Sequence, residues 1–83
     1  MSADPVRDRL IAAGWTVDDR RGPVLRWSAW RGDLLILARH DGWIVRAENE
    51  RDRIEKRVTS PGRLMLAVGD VTAAWALLTG GVL

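Results

Sequence analysis

The clearest pattern in the chain is an alternation of apolar and polar residues between positions 24 and 48. Three segments, 24–30, 34–40 and 43–48, are rich in Val, Ile, Leu and Trp, which are residues typical of β-strands. Arg31–Gly32 and Asp41–Gly42 separate these segments, and Asp-Gly is among the strongest signals for a two-residue hairpin turn. The pattern therefore predicts a three-stranded antiparallel meander.

The registers of the two predicted hairpins can be checked against each other. A turn at 41–42 pairs Ala38 with Val45, and a turn at 31–32 pairs Trp27 with Ile36. Both turns put the same residues of the middle strand on one face, whereas a slip by one residue would reverse every side chain. The sequence thus predicts an apolar face made of Leu25, Trp27, Ala29, Leu34, Ile36, Ala38, Trp43, Val45 and Ala47.

The opposite face of the predicted meander mixes large apolar residues with arginines. An antiparallel sheet with a simple solvated face would alternate more cleanly. Two arrangements remain open: helices cover both faces and the arginines extend to the rim, or the mixed face stays uncovered as an apolar patch. This face consists of Arg26, Ser28, Trp30, Leu35, Leu37, Arg39, Ile44, Arg46 and Glu48.

The segments beside the meander predict a helix and further strands. Asp4–Pro5 is a typical helix start and the glycine at position 14 a typical stop, so residues 5–13 are predicted to be helical. Residues 15–17 are expected to form a short strand, and residues 18–23 a turn. Residues 53–59 favour a fourth strand, and a charged helix is the alternative for this segment.

The C-terminal part predicts one or two short helices. Ser60–Pro61 starts a helix that would stop at Gly69, and Asp70 would cap another over 71–79. A strand at 64–68 is the alternative. The predicted fold is one α+β domain that includes all 83 residues: an N-terminal helix, a three- to four-stranded antiparallel β-meander and one or two short C-terminal helices.

Composition narrows the class of protein. The chain is 47% hydrophobic and 29% charged, as expected of a folded domain. It has no apolar run long enough to cross a membrane and no visible signal peptide, so a cytoplasmic location without membrane contact is expected. Lys56 is the only lysine beside twelve arginines, and Phe and Tyr are absent. This bias indicates the GC-rich genome of a bacterium or a phage.

The residues that usually carry catalysis are scarce. The chain has no cysteine and a single histidine, His40, beside a predicted hairpin turn, so neither a zinc site nor a Ser-His-Asp triad can be assigned. Asp18 and Asp19 are adjacent in a predicted turn, where solvated carboxylates are expected. The eight glycines are dispersed and form no phosphate-binding loop. We therefore expect a protein that is not an enzyme and has no cofactor, metal or small-molecule substrate.

Two binding functions remain. The mixed face is typical of a protein interface, where Trp and Arg are enriched, so a homodimer or a complex with a partner protein is the first hypothesis. The alternative is nucleic-acid binding by an arginine-rich sheet face, because residues 20–63 carry eleven basic and six acidic side chains, a net +5. The candidate interface residues are Arg26, Trp30, Leu35, Leu37, Arg39, Ile44 and Arg46.

Overall fold

The computed structural model describes residues 4–20 and 22–80, which form two helices and one antiparallel sheet. The sheet has five strands in the order in which they follow one another along the chain. The predicted α+β class and meander are confirmed. The elements are α1 (Pro5–Ala12), β1 (Thr16–Asp18), β2 (Leu25–Arg31), β3 (Leu34–Arg39), β4 (Gly42–Glu48), β5 (Arg53–Val58) and α2 (Pro61–Leu78).

The number of strands is larger than the three or four that the sequence predicted. The short segment after α1 joins the sheet, because Val17 pairs with Ala29 of β2. The strand predicted for 53–59 is also present and pairs with β4 along its whole length, from Glu48 with Arg53 to Trp43 with Val58. Strands at both ends of the meander therefore extend it to five.

The C-terminal part is one helix rather than two, and the strand at 64–68 does not form. α2 continues through Gly69, which has a negative φ here. Glycine in a helix interior costs about 1 kcal/mol relative to alanine. The continuous apolar stripe outweighs this cost, since burial of one large side chain is worth about 1.5–3 kcal/mol. The buried residues of α2 are Leu64, Ala67, Val68, Val71 and Trp75.

Both hairpin turns lie one residue away from their predicted positions. Arg31 pairs with Leu34, so the first turn is Gly32–Asp33, and Gly32 supplies the positive φ of +61° that glycine provides in type II′ turns. The second turn is His40–Asp41. Because each turn moves by one residue, the cross-strand partners change by two, and the predicted faces are preserved for most positions.

Gly42 explains why the second turn differs from the prediction. It belongs to β4, with a φ of +144°, and a Cβ at this position would collide with the carbonyl oxygen of Val58. The glycine is therefore required for close approach of the β5 backbone rather than as a turn residue.

A β-bulge at the start of β2 reverses the predicted faces of two residues. Leu25 pairs with Arg39 and Trp27 pairs with Ala38, which leaves Arg26 as an extra residue. Leu25 therefore lies on the face predicted for Arg26. The Arg26 Nε donates to the carbonyl oxygen of Arg39 (2.9 Å), and its guanidinium lies 5.5 Å from the centre of the Trp43 ring.

The core lies between the two helices and one face of the sheet. Leu10 of α1 and the buried stripe of α2 pack together against inward-facing strand residues such as Ile36 and Val45. Two indole groups tie the helices to the sheet. The Trp27 Nε1 donates to Asp4, which precedes α1 (2.6 Å), and the Trp75 Nε1 of α2 donates to Asp33 (3.2 Å).

This packing decides between the two arrangements that the sequence left open. The large apolar residues of the other sheet face, Leu35, Leu37 and Ile44, do not belong to the core cluster. Both helices therefore cover the same face, and neither helix of the ranges 4–20 and 22–80 covers the opposite face. Within the described ranges, no helix has the length and apolar character needed to cross a bilayer.

Candidate protein-interaction surface

The sheet face that lies away from both helices is the candidate functional surface, called here the outer face. The register places one row of side chains across all five strands and a second, parallel row beside it. Such rows bring side chains of neighbouring strands within about 5 Å of each other. The outer face consists of Thr16, Asp18, Leu25, Ser28, Trp30, Leu35, Leu37, Arg39, Ile44, Arg46, Glu48, Arg53, Glu55 and Arg57.

Six of the seven candidate interface residues lie on the outer face. The exception is Arg26, because the bulge turns its side chain toward Trp43 and Asp4; its Nη1 lies 4.0 Å from the Asp4 carboxylate. The structure brings the other six together on three adjacent strands: Trp30, Leu35, Leu37, Arg39, Ile44 and Arg46.

The centre of the outer face is apolar. Trp30 pairs with Leu35, and Leu37 pairs with Ile44 in the next row. Trp30 is 41% exposed, while Ile44 is only 5% exposed although no helix covers it. Ile44 and Leu25 line a shallow groove of about 310 Å³ together with neighbouring side chains on β3, β4 and β5.

Most charged side chains around this centre are neutralised within the chain. Glu55 accepts hydrogen bonds from Arg46 (2.8 Å) and Arg53 (3.0 Å), and these bonds hold the pKa of Glu55 below its ordinary value. Arg39 lies 3.6 Å from the carboxylate of Asp41. Few arginines of this face are therefore available for phosphate groups.

The two lateral edges of the outer face differ in charge. On β1, the carboxylate of Asp18 accepts hydrogen bonds from Arg20 (2.8 Å), which lower the pKa of Asp18. On β5, Arg57 is exposed and forms no ion pair with any residue in the ranges 4–20 and 22–80. The β1 edge therefore holds a carboxylate that is paired with Arg20, and the β5 edge holds a guanidinium without an ion pair among the described residues.

The groups that could do acid–base or metal chemistry are dispersed. His40 is exposed at a hairpin turn, as expected. Asp19 binds the guanidinium of Arg7 through a hydrogen bond of 2.7 Å and Asp18 binds Arg20, so these two carboxylates form ion pairs rather than being solvated separately. In the described part of the chain, no three His, Cys, Asp or Glu side chains cluster around a possible metal position.

Sequence reasoning missed the parts of the outer face that lie on β1 and β5. Asp18 was assigned to a turn, and the register of Arg53, Glu55 and Arg57 was not worked out. The length of the connection was a usable signal, because a loop at 49–52 pairs Glu48 with Arg53 and the same register continues along the strands.

Known proteins provide no further guide to this surface. Comparison of the chain with models of protein families, with characterised proteins and with solved structures found no significant match.

Proposed function

We propose that this protein is a non-catalytic binding module that forms a homodimer through its outer face. The observation that carries the proposal is the placement of both helices on the opposite face, which leaves the apolar centre, with Trp30 exposed and Leu37 half-buried, without a helix over it. Uncovered apolar patches bordered by arginine are typical of protein interfaces. Two such sheets can stack face to face at about 10 Å.

The charges of the outer face are complementary to those of a second copy. One row of cross-strand pairs runs from Asp18 in β1 to Arg57 in β5 through Ser28, Leu37 and Ile44. A two-fold axis parallel to β3, between the stacked sheets, places β1 of one protomer opposite β5 of the other. Asp18 then faces Arg57 of the second copy, twice in the dimer.

The other orientation of the two-fold axis is less favourable. An axis perpendicular to the strands places β1 opposite β1 and β5 opposite β5. Asp18 would then face another Asp18, and Arg57 another Arg57, so like charges would repel at both edges. Asp18 already accepts four hydrogen bonds from Arg20 of its own chain. In the favourable orientation the guanidinium of Arg57 would therefore approach Asp18 through charge attraction, or would replace the exposed side chain of Arg20.

The size of the outer face sets the expected affinity. Five strands spaced by about 4.8 Å and about six residues long give a footprint of about 500 Å² for each protomer. Specific interfaces usually bury about 800 Å² of accessible surface per partner. We therefore expect a dimer that dissociates in the micromolar range.

The paired arginines favour a protein partner over nucleic acid. Nucleic-acid affinity depends on cations that are free to neutralise phosphates, whereas Arg46 and Arg53 share Glu55. Base-stacking surfaces also need several aromatic residues, and Trp30 is the one aromatic residue of this face.

Sedimentation velocity over a range of protein concentrations tests the proposal. The wild type should dimerise at micromolar concentration, and Leu37→Glu should be monomeric because it places two carboxylates at the centre of the interface. The matched control is Leu77→Glu on α2, where the native side chain is 85% exposed; it should dimerise like the wild type. Circular dichroism and melting curves verify that both variants fold.

A wild type that remains monomeric at high micromolar concentration would refute the homodimer. If Leu37→Glu still dimerises and Leu77→Glu does not, the dimer interface lies on α2 instead of the outer face. Saturable binding of duplex or single-stranded DNA at low salt by the monomeric wild type would favour the nucleic-acid alternative.

A further inference from the structure

We infer that the open edge of β5, together with the groove between β5 and α2, binds an extended acidic peptide segment that adds to the sheet as a sixth strand. This site uses the backbone edge of β5 and the helix side of the sheet; it adjoins the outer face at Arg53, Glu55 and Arg57 and does not include the apolar centre around Leu37. Extended peptides commonly bind exposed sheet edges through main-chain hydrogen bonds, and neighbouring pockets give specificity for alternate side chains.

The hydrogen-bond phase of β5 identifies its free backbone groups. The Asn49 N–H donates to the Asp52 carbonyl oxygen (2.9 Å) in the loop that precedes the strand. Because hydrogen-bonded and non-hydrogen-bonded pairs alternate in an antiparallel ladder, Ile54, Lys56 and Val58 bond to β4. The N–H and C=O groups that point to the open edge consequently belong to Arg53, Glu55 and Arg57.

These edge groups have no protein partner among the described residues. The backbone bonds of residues 4–20 and 22–80 outside regular strands and helices include none to the amide groups of Arg53, Glu55 or Arg57. Three donors and three acceptors are thus available, spaced at every second residue. An added strand can bond to all of them.

The groove beside this edge has the dimensions of a side-chain pocket. It has a volume of about 440 Å³ and lies between the end of β5 and the first half of α2. Its helix wall includes Leu66, which is 68% exposed, and the buried Ala67. An added strand would direct every second side chain toward this wall, where an apolar side chain would bury Leu66.

The charge around the edge selects an acidic occupant. β5 contains three cationic residues and one anionic residue, Glu55, and therefore carries a net +2. Lys56 binds Asp70 of α2 (2.8 Å). Arg63 also lines the groove and forms no ion pair with the part of the chain that the structure describes.

The same charge argues against a second copy of β5 as the occupant. Antiparallel pairing of β5 with β5 would bring two strands of net +2 together and place Arg53 beside Arg57, and like charges in opposed strands are destabilising. Basic residues on an edge strand commonly prevent such self-pairing. The expected ligand alternates acidic residues with apolar ones that face Leu66.

The test uses a short capped peptide in which Glu and Leu alternate, titrated into the full-length protein by calorimetry. A peptide in which Lys and Leu alternate controls for charge, and one with the Glu and Leu residues in separate blocks controls for the alternation. Only the first peptide should bind. Amide hydrogen exchange should slow by about tenfold or more at Arg53, Glu55 and Arg57, because hydrogen-bonded amides are protected, and should change little at Lys56.

Variants locate the site. Leu66→Glu and Arg63→Glu should each weaken binding by about tenfold, since each removes an apolar contact or a cation and adds a repelling carboxylate. Leu77→Glu is the matched control: it carries the same substitution on the same helix, remote from the groove, and should bind like the wild type. Melting curves check that each variant is folded.

The outcome is independent of the proposed homodimer. Leu37→Glu should bind the peptide like the wild type, because Leu37 lies on the outer face. Equal binding of the lysine peptide, binding without protection of the three edge amides, or no binding at millimolar peptide would each overturn the inference. Loss of dimerisation with retained peptide binding would refute the homodimer alone.

Discussion

At the scale of single residues, the outer face is organised around one carboxylate. Glu55 accepts hydrogen bonds from Arg46 on the neighbouring strand and from Arg53 two residues earlier, and its side chain remains 27% exposed. Exposed ion pairs contribute little individually because solvent screens them. The value of this arrangement is that it neutralises two arginines and keeps them extended across β4 and β5.

The lowered pKa of Glu55 predicts an acid-dependent stability. Because the folded-state pKa lies below the ordinary value of 4.5, the carboxylate stabilises the protein above that value and loses its contribution as pH falls through the folded-state pKa. Glu55→Gln should therefore be less stable than its parent at neutral pH. The difference in unfolding free energy should shrink below about pH 4.5.

Urea denaturation across pH 3–7 measures this difference, with both proteins carrying Leu37→Glu so that the oligomeric state is constant. A difference that is independent of pH would show that Glu55 is not linked to the two arginines in solution.

At the scale of elements, the sequence predicted most of the structure where hydrophobic periodicity dominates. The alternation between 24 and 48 predicted three strands. It also predicted the face on which each β3 side chain lies, because a turn displaced by one residue changes the cross-strand partners but preserves the faces. The bulge at Arg26 was not predictable, since no glycine or proline marks it and its side chain contacts Arg39 and Trp43, which are distant in the sequence. Six of the seven candidate interface residues lie on the predicted face because the alternation fixes it, and Arg26 does not because the bulge interrupts the alternation.

The continuity of α2 was missed because local signals were given more weight than the apolar stripe. Gly69 and Asp70 form a plausible stop and start. The buried residues Val68, Val71 and Trp75 nevertheless follow one another at helical spacing on both sides of this glycine and aspartate. Tertiary burial on one side of the helix overrides the local preference.

Gly69→Ala should therefore stabilise the protein. Gly69 is exposed, its φ is negative, and an added Cβ would contact nothing within 4 Å. Removing the flexibility of glycine in a helix interior is worth about 0.5–1 kcal/mol, measured as an increase in the free energy of unfolding in urea.

Gly42→Ala provides the opposite case under the same measurement. Its Cβ would collide with the Val58 carbonyl oxygen at a φ of +144°, and we expect destabilisation of more than about 2 kcal/mol.

For the first variant, destabilisation by Gly69→Ala would contradict the prediction and would indicate that α2 is interrupted in solution at the position where the sequence predicted a helix end.

At the scale of the whole molecule, the placement of both helices on one side determines where binding can occur. The outer face, the edge of β5 and the groove against α2 are three different surfaces of a chain of 83 residues. The sequence predicted a second face that mixes large apolar residues with arginines, and the packing of α1 and α2 shows that neither of these helices covers it. The position of β5 at an edge agrees with the predicted meander, in which the segment 53–59 is the last strand.

The proposed dimer axis predicts the result of a charge exchange. Arg57→Asp should weaken the dimer by about fivefold to thirtyfold, because it replaces two attractive pairs with two repelling ones and each exposed pair is worth about 0.5–1 kcal/mol. Asp18→Lys should have a similar effect. The double variant should recover most of the wild-type affinity in equilibrium sedimentation. Additive losses in the double variant would exclude an axis parallel to β3.

The uneven burial of the tryptophans gives the molecule an internal optical probe. Trp15, Trp27 and Trp75 are at most 7% exposed, whereas Trp30 is 41% exposed on the outer face. With no tyrosine in the chain, near-ultraviolet excitation reports almost entirely on indole groups. A change in the fluorescence maximum upon dilution would therefore come mainly from Trp30, and would reveal without any label whether water reaches the uncovered side of the sheet.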